Sequence, residues 1–541
     1  MSFSWQSVYR FLTRAVVGGL LLFSCAGCGS RAEQRADLVI INGAEPESLD
    51  PAIVTGQPDI RVAGALFEGL VRNDPHTGAP VPGLAERWEI SDDGRLYTFY
   101  LRTNAQWSTG EPIMARDVVY SWRRVLSPET ASDYAGQLFY IKNAEEFNRG
   151  EIKDPSRVGI KAIGPRTVRV ELTGPVPFFL DLCTLPTLAV VPEWTIERYG
   201  DRWLMARPLP VSGPYELVSW RINDRIRLRK NRRYWDVAHT QNDRVDVLPV
   251  GSANTALNLY ETGAADIVWD KELAPSELLD VLLKRPDFHT FDYLGTYFIR
   301  INVTRKPFDD PRVRRALAMA IDKTRIVEKI TRAGEKIATH LTPPGIPHYD
   351  PPNGLGYDPE TARRLLAEAG YPGGKGFPTF QYMFNAAAGG AAKTHEKIAV
   401  ELQQMWRQEL GIHMELRQAE WKVFLAAQSA LDYDLCRSSW VGDYNDPNTF
   451  LDLFMSWSGN NRTGWKDPDY DRLLREANSR ADPAARATLL QAAEALLVRD
   501  AVPVLPLFFY RGISYYDSTK IQGIYPNILD QHPINAVRKV R

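Results

Sequence analysis

Segments with strand periodicity and segments with helix periodicity alternate irregularly along this sequence, and that alternation constrains the fold more than any other feature. The aromatic-rich segment Leu96–Leu101 separates into two faces, and residues 166–172 alternate between polar and apolar side chains, so both predict strands. Residues 213–220 and 225–231 predict the two strands of a hairpin that turns around 223–224.

Helix signals are interleaved with these strands. Asp310 followed by Pro311 predicts a capped helix start, and we expect that helix to continue through 312–330. A second helix is expected over 358–370, where a glycine supplies the stop signal, and a third over 395–412. No internal repeat is present, so the sequence predicts an α/β fold of the mixed α+β kind.

Length and composition indicate a globular protein with more than one lobe. The chain has 541 residues, of which 44% are hydrophobic and 24% charged. One hydrophobic core rarely supports this length, so two or three lobes are expected. The formal net charge of −1 provides no electrostatic footprint for a nucleic acid. The 14 Trp, 23 Tyr and 21 Phe are enough to line a large cavity as well as a core.

The N-terminus has the pattern of an export signal. Two arginines precede an apolar run over 15–28 that is too short to span a bilayer comfortably. The run ends at Cys28 in a pattern that resembles a bacterial lipoprotein cleavage site. We therefore expect a lipoprotein-type signal peptide over 1–28, lipidation at Cys28, a tether over 29–36 and a periplasmic or extracytoplasmic protein held to the membrane by lipid. The alternative is an ordinary cleaved signal with incidental cysteines.

Two further cysteines, Cys183 and Cys436, belong to the fold that follows this signal. They could pair in an oxidising compartment, or they could stay separate as buried thiols. Their separation in sequence does not decide between these alternatives, because a disulfide depends on the distance between the two Cα atoms.

Catalytic and cofactor motifs are absent from the sequence. There is no G-x-S-x-G elbow and no Walker A loop. The helix that begins at His395 carries Ala399 where a zinc-binding helix would place a second histidine. We therefore expect no enzymatic activity, no metal and no cofactor. A hydrolase stays the alternative from another class, because paired catalytic carboxylates have no fixed spacing in sequence.

One stretch near the C-terminal end, SSWVGDYNDPNTFL at 438–451, places acids inside an aromatic run. Asp443 and Asp446 lie within it, and Asp452 follows directly. Because a buried acid is costly unless it is paired, either the stretch is an exposed turn or a cation comes to meet one of these carboxylates.

Seven short segments of the sequence are informative when they are considered together and in order. They are ESLDP at 47–51, LFEGL at 66–70, AQWSTGEPIMARDVVYSWRRVLSPETASDYA at 105–135, INVTRKPFDDPRVRRALAMAIDK at 301–323, RRLLAEAGYP at 363–372, EWKVFL at 420–425 and WVGDYNDPNTFL at 440–451. In this order they resemble segments of the bacterial oligopeptide-binding proteins of peptide ABC transporters, within family 5 of the extracellular solute-binding proteins. The resemblance covers nearly all of the chain after the signal.

The resemblance implies a two-lobed periplasmic-binding-protein clamp with an additional inserted domain. Lobe I would be discontinuous over 37–68, 193–294 and 511–541, the inserted domain would span 69–192, and lobe II would span 295–510. Lobe closure would be a hinge motion that encloses an oligopeptide. The implied partner is an ABC transporter permease with its ATPases in the inner membrane, and the protein is expected to be a monomer.

The resemblance also implies which residues hold the two ends of the peptide. Asp443 would bind the amine, and Arg437 and His395 would bind the carboxylates of peptides of different length. The alternative role for Asp443 is a helix or turn cap, which is the role expected for Asp446.

A larger set would contact the ligand backbone and side chains. The peptide planes of 438–441 would pair with the ligand backbone, and several aromatic residues would line side-chain pockets. The set implied by the resemblance comprises Thr55, Gly56, Gln57, Tyr134, Trp269, Tyr293, Phe298, Trp421, Ser438, Ser439, Trp440, Val441 and Tyr510. Trp421 and Trp440 could each instead be a core residue. A dipeptide, a murein peptide or a nickel chelate stays an alternative ligand on the same fold.

Overall fold

The computed structural model describes residues 35–385 and 390–540. The chain divides into two compact units, Met1–Asp37 and Leu38–Arg541, and the second unit contains all the described strands and helices. The predicted signal peptide and the predicted lipidation site, Cys28, lie outside the described residues. Across 35–385 and 390–540, no helix combines the length and the apolar character that crossing a membrane requires.

The described residues form 19 strands in four sheets. In chain order the strands are β1 (Leu38–Ile41), β2 (Val71–Asn73), β3 (Pro80–Pro82), β4 (Ala85–Ile90), β5 (Leu96–Leu101), β6 (Ile160–Gly164), β7 (Thr167–Glu171), β8 (Tyr215–Arg221), β9 (Arg225–Lys230), β10 (Arg244–Leu248), β11 (Ile267–Val268), β12 (Phe288–Ile301), β13 (Lys336–Ile337), β14 (Phe380–Asn385), β15 (Met414–Ala419), β16 (Leu435–Val441), β17 (Val504–Tyr516), β18 (Ile521–Gln522) and β19 (Arg538–Lys539).

The largest sheet has 11 strands in the order β15-β14-β16-β12-β17-β11-β1-β10-β9-β8, with β13 paired to β17. A four-stranded antiparallel sheet has the order β4-β5-β7-β6, and β2–β3 and β18–β19 form two small pairs. This mixture of parallel and antiparallel pairing confirms the predicted α/β class of the mixed kind.

The helices alternate with the strands. The α-helices among the described residues are Gln57–Leu66, Ala115–Leu126, Ala144–Asn148, Phe179–Leu182, Glu193–Tyr199, Ala253–Glu261, Leu279–Leu282, Pro311–Met319, Lys323–Ile326, Pro359–Glu368, Gly390–Leu410, Trp421–Ser429, Asn448–Leu451, Pro468–Asn478 and Pro483–Ala495. The predicted helices at 358–370 and 395–412 are therefore confirmed, with boundaries that differ by a few residues.

The prediction of one continuous helix over 312–330 is wrong. The side chain of Asp310 caps the start as expected by accepting from the amide of Arg312, but this helix ends at Met319. Asp322 then caps a second short helix, because its side chain accepts from the amides of Thr324 and Arg325. A capping aspartate competes with helix continuation, which explains the break.

Local strand predictions agree with the structure. In β5 half-buried and buried residues alternate strictly, as the two-faced pattern predicts. The strands β8 and β9 form the expected antiparallel hairpin, and Asn223 in its turn has φ +58°. Cys183 and Cys436 are both buried and free, which agrees with the alternative of two separate thiols.

Buried apolar side chains form four large clusters. One draws on residues within 38–67, 189–269 and 516–537, and a second on residues within 52–190 together with Tyr444. The other two draw on residues within 294–529. The predicted domain boundaries stay a prediction.

The two longest strands, β12 and β17, lie side by side in the middle of the largest sheet and contribute to different clusters. Tyr516 at one end of β17 packs in the first cluster, whereas Leu505 and Phe508 pack in one of the 294–529 clusters. The register between the two strands is irregular between Asp292 and Thr296. β17 therefore connects separate cores, and its pairing with β12 is interrupted over a short segment between them.

Candidate functional site

The strand β16 has one edge without a strand partner along its second half. On one side it pairs antiparallel with β12 from Leu435 to Val441, whereas on the other side it pairs with β14 only at Leu435 and Cys436. The amide of Gly442 donates to the carbonyl of Leu294, which continues the pairing to β12. Because backbone groups alternate in direction along a strand, those of Ser439 and Val441 point away from β12 and meet no strand among the described residues.

Asp443 lies just beyond the end of β16 and is half-buried. Its Oδ1 accepts a hydrogen bond from the hydroxyl of Tyr134 at 2.9 Å, and its Oδ2 accepts from the side-chain amide of Gln137 at 3.4 Å. No lysine, arginine or histidine of the described chain pairs with this carboxylate. Tyr134 and Asp443, which the sequence predicts as ligand-contacting residues, therefore contact each other directly.

The environment of Asp443 disfavours its charge. Burial, only partly offset by the hydrogen bond from Tyr134, raises the pKa of Asp443 to about 6. Asp452, which is close to Asp443 and to Asp446, has its pKa raised further, to about 8, mainly by burial. At neutral pH Asp443 is therefore a carboxylate that lacks a counter-charge, while Asp452 is mostly neutral.

Asp446 has the capping role that the sequence predicts, together with a second role. Its Oδ1 accepts from the amide of Asn448 at 2.9 Å, as a turn cap does. Its two oxygens also accept from both terminal nitrogens of Arg486, at 2.6 and 2.7 Å, in a buried ion pair. Asp446 is therefore already neutralised, which leaves Asp443 as the acid of this stretch that can receive a cation from outside.

Arg437, six residues before Asp443, is a cation without an acid. It points from β16 with Nη1 3.3 Å from Asn385 Oδ1 and Nη2 3.1 Å from Ser439 Oγ. Its Nε is buried without a hydrogen-bond partner, and its guanidinium lies 5.3 Å from the ring centroid of Tyr297. Among the described residues no carboxylate pairs with Arg437, so a carboxylate from outside would complete its bonding.

His395 lies beside Arg437. Its ring is 5.6 Å from that of Tyr297, and its Nδ1 is buried without a hydrogen-bond partner among the described residues. Burial, reinforced by the charge of Arg437, lowers the pKa of His395 to about 3. The imidazole is therefore neutral at physiological pH, so it can donate a hydrogen bond but does not supply the positive charge that its basic character suggested.

Aromatic rings lie between Arg437 and Lys271. The ring of Tyr510 lies 6.3 Å from that of Tyr297, and Lys271 Nζ lies over the rings of Tyr510 and Tyr293 at 5.4 and 5.5 Å. A Cβ added at Gly295 would lie 3.1 Å from Tyr510 and 3.2 Å from Tyr293, so a larger residue there would crowd both rings. The structure thus brings Tyr293, Tyr510, Arg437 and His395 into one region, and their contact with a ligand stays a prediction.

Side chains of β16 divide between the two faces of the sheet. Arg437, Ser439 and Val441 lie on one face, and Ser438 and Trp440 lie on the other with their cross-strand partner residues of β12. On that second face Phe298 is fully buried against Phe454, with the ring centroids 6.1 Å apart. Trp440 is half-buried, and its indole N–H has no hydrogen-bond partner among the described residues.

Other predicted site residues lie elsewhere or are less enclosed. Thr55 is exposed, Gly56 precedes the helix Gln57–Leu66, and Gln57 lines a separate cavity of about 690 Å³. Trp269 is buried, and its indole nitrogen has no hydrogen-bond partner among the described residues. Trp421 is 45% exposed and stacks on Phe424. Their contacts with a ligand stay a prediction.

Several neighbours of the site were not anticipated from the sequence. They are Gln137 beside Asp443, Tyr297 between Arg437 and His395, Lys271 over Tyr510, and Arg486 on Asp446. Gln137 alone carries a usable local signal, because it follows Tyr134 by three residues and such a spacing places two side chains on one helical face. In the described parts of the chain, no group of three or more metal-ligating side chains comes together.

Both the sequence and the fold are similar to those of known proteins. The family described as "Bacterial extracellular solute-binding proteins, family 5 Middle" matches residues 79–462. The periplasmic oligopeptide-binding protein OppA of Salmonella typhimurium is 36% identical over 509 residues, which cover 92% of each chain.

Solved structures give the same result. A periplasmic oligopeptide-binding protein of Borrelia burgdorferi, OppAIV, matches with a TM-score of 0.81 at 32% identity, over 94% of this chain and 100% of that one. The murein tripeptide binding protein MppA of Escherichia coli matches with a TM-score of 0.80 at 32% identity, over 94% of this chain and 99% of that one.

Proposed function

Because the chain belongs to family 5 of the bacterial extracellular solute-binding proteins, we propose that it is a receptor that captures oligopeptides and delivers them to an ABC-type import permease. The ligand lies between two lobes, and the closed, loaded form is the one that docks on the permease. The protein binds and releases its ligand without chemical change, and it uses neither metal nor cofactor.

One observation carries this proposal: an acid without a cation and a cation without an acid flank an open strand edge. Asp443 and Arg437 are six residues apart, which is at most about 20 Å along an extended chain. A free peptide of up to about six residues has an amine and a carboxylate at such a separation, joined by amides that can pair with a strand edge. The amine and the carboxylate of the peptide thus complement the charges of Asp443 and Arg437. The peptide amides complement the backbone groups of Ser439 and Val441 that point away from β12.

The long strands support a hinge. β17 contributes Tyr516 to the first cluster and Leu505 and Phe508 to one of the 294–529 clusters, and its pairing with β12 is interrupted between Asp292 and Thr296. A segment with fewer ladder hydrogen bonds changes its dihedral angles at lower cost than the regular strands on either side. We place lobe I at 37–68, 193–294 and 511–541 and lobe II at 295–510, with 69–192 inserted.

The hydrogen bond from Tyr134 to Asp443 joins the proposed inserted domain to lobe II across the site. On the membrane side, the proposal includes cleavage of the signal before Cys28, lipidation of that cysteine and action as a monomer outside the cytoplasm.

Ligand retention tests the proposal. We expect native mass spectrometry of the gently purified protein to detect bound peptides of two to six residues, and calorimetry on unfolded and refolded protein to detect binding of alanine peptides of the same lengths. Intact recovery of these peptides after long incubation supports a receptor. Failure of every peptide to bind, or cleavage that follows the purified protein through each fraction, contradicts it.

A further inference from the structure

Arg300 is a buried arginine whose hydrogen bonding is incomplete. It lies on β12 and is 4% exposed. Its Nε donates to Ser438 Oγ at 3.0 Å and its Nη1 donates to the carbonyl of Asn460 at 2.8 Å. Its Nη2 makes no hydrogen bond within the described chain. The guanidinium lies 5.3 Å from the ring centroids of both Phe298 and Phe454, so its surroundings are largely apolar.

A second arginine, Arg462, lies close by and is also incompletely bonded. Its Nη1 is 3.4 Å from Gln428 Oε1, and its Nε is buried without a hydrogen-bond partner. Burial lowers the pKa of Arg300, and the charge of Arg462 acts in the same direction. Neither arginine pairs with a carboxylate of the described residues. Two like charges therefore share a poorly solvated region.

Other buried arginines of this protein have either an acid or several backbone carbonyls as hydrogen-bond partners. Arg227 pairs with Asp246 through two hydrogen bonds of 2.7 Å, and Arg486 pairs with Asp446 in the same bidentate way. Arg314 has no acid, but it donates to three backbone carbonyls at 2.7 to 3.0 Å. A buried cation normally has a partner of this kind because the desolvation penalty is otherwise uncompensated.

The arginine pair adjoins the strand that we propose pairs with the peptide backbone. Arg300 contacts Ser438 of β16, and the pairing of β12 with β16 places it on the same face as Trp440. In a strand added beside β16, every second side chain projects to that face. A zwitterionic peptide has one carboxylate, which Arg437 would take on the opposite face. The charges of Arg300 and Arg462 then stay uncompensated unless the ligand brings another acid.

We propose that Arg300 and Arg462 form a subsite for a carboxylate side chain of the ligand, so that the receptor prefers peptides with Glu or Asp at one internal position. The inference rests on the proposed function and adds a substrate class to it. A guanidinium binds a carboxylate through two parallel, charge-assisted hydrogen bonds. Glutamine offers only one carbonyl oxygen and no charge at the same place.

Calorimetry on a matched peptide series tests the proposal. Glu and Gln are compared at positions 2, 3 and 4 of an alanine pentapeptide, with unsubstituted pentaalanine as the reference. With the unmodified protein we expect Glu to bind more tightly than Gln at one position by about tenfold or more, which corresponds to about 1.4 kcal/mol. In Arg300→Gln that ratio should fall to about twofold or less, with pentaalanine affinity changed less than about threefold.

Two variants control for folding and for general loss of charge. Arg462→Gln should reduce the same ratio of Glu-peptide to Gln-peptide affinity. It provides an independent test if Arg300→Gln does not fold. Arg417→Gln removes an arginine that is paired with Asp432 on the surface, and it should leave the ratio unchanged. Binding of all peptides without any preference for Glu overturns the subsite but leaves the proposed function intact. Failure of every peptide to bind overturns both, and a Glu preference that survives both Gln variants overturns the subsite.

Discussion

At the scale of single residues, the surroundings of Asp443 in the ligand-free protein disfavour the ionised form of its carboxyl group. Its pKa is raised to about 6 from 3.8, mainly by burial. A carboxyl group whose pKa is raised in the folded state carries no penalty below its unfolded pKa, and it penalises folding increasingly as the pH rises from the unfolded pKa to the folded pKa. The penalty is therefore absent below about pH 4 and complete above about pH 6.

Removing this charge should stabilise the protein without ligand. We expect Asp443→Asn to raise the free energy of unfolding at pH 8 by up to about 3 kcal/mol, at about 1.4 kcal/mol per pKa unit, and by about half as much at pH 5. Denaturant titrations at the two pH values measure the difference. A variant that is less stable than the original at pH 8 would show that Asp443 is a structural cap held by Tyr134.

We propose that Arg437 and His395 are separate anchors for the ligand carboxylate, and the two side chains differ in charge. Arg437→Gln should weaken one peptide length more than its neighbours, because a fixed anchor meets the carboxylate of one length only. His395→Ala should weaken a different length and by a smaller factor, because the imidazole with its pKa near 3 contributes no charge. Affinities of alanine peptides from two to six residues measure both profiles. Equal losses at every length in both variants would reject length-specific anchoring.

At the scale of secondary structure elements, the open edge of β16 makes a residue-specific prediction. The amides of Ser439 and Val441 face away from β12, whereas those of Ser438 and Trp440 are bonded to it. Peptide binding should therefore slow hydrogen exchange at Ser439 and Val441 by about tenfold or more beyond the change at Ser438 and Trp440. Residue-resolved exchange measures this with its own internal control. Equal slowing at all four amides would indicate general rigidification and not strand addition.

Strands, hairpins and caps could be predicted where the sequence pattern that specifies them lies within a few neighbouring residues. The two-faced pattern of β5, the hairpin of β8 and β9, and the caps at Asp310 and Asp446 depend on residues within a few positions of each other. The break after Met319 was missed because apolar spacing continues through it, while the competing cap at Asp322 acts on only two amides.

At the scale of the whole molecule, the candidate site depends on contacts that no local pattern encodes. Tyr134 and Asp443 are 309 residues apart, and Arg300 and Ser438 are 138 residues apart. Resemblance to a family predicted most of the individual positions of the candidate site. It did not identify the pairing of Asp446 with Arg486, the neutral state of His395 or the position of Arg462 beside Arg300, because these depend on burial and on partners that are specific to this chain.

The proposed membrane anchor depends on Cys28 alone. We expect Cys28→Ser to be exported and recovered in the soluble fraction, whereas the unmodified protein stays with the membrane, because one acyl-bearing cysteine provides the attachment. Metabolic labelling with palmitate, followed by fractionation, measures both effects. Equal label in the two proteins would show that Cys28 is not the acylated residue.

The central claim is that Asp443 receives the amine of a captured peptide, and calorimetry on four combinations tests it most directly. Free and N-acetylated trialanine are each titrated into the original protein and into Asp443→Asn, and the two differences form a cycle. The matched control is Asp452→Asn, which should change little at pH 7 because burial raises the pKa of that neighbouring carboxyl to about 8.

The free peptide should lose affinity by about a hundredfold or more in Asp443→Asn, because breaking a buried charge pair costs about 3–5 kcal/mol and each 1.4 kcal/mol is about tenfold. The acetylated peptide should bind weakly to the original protein and lose little further in the variant. If free and acetylated peptides lose affinity equally, Asp443 does not bind the amine, and the proposed mode of peptide capture is contradicted.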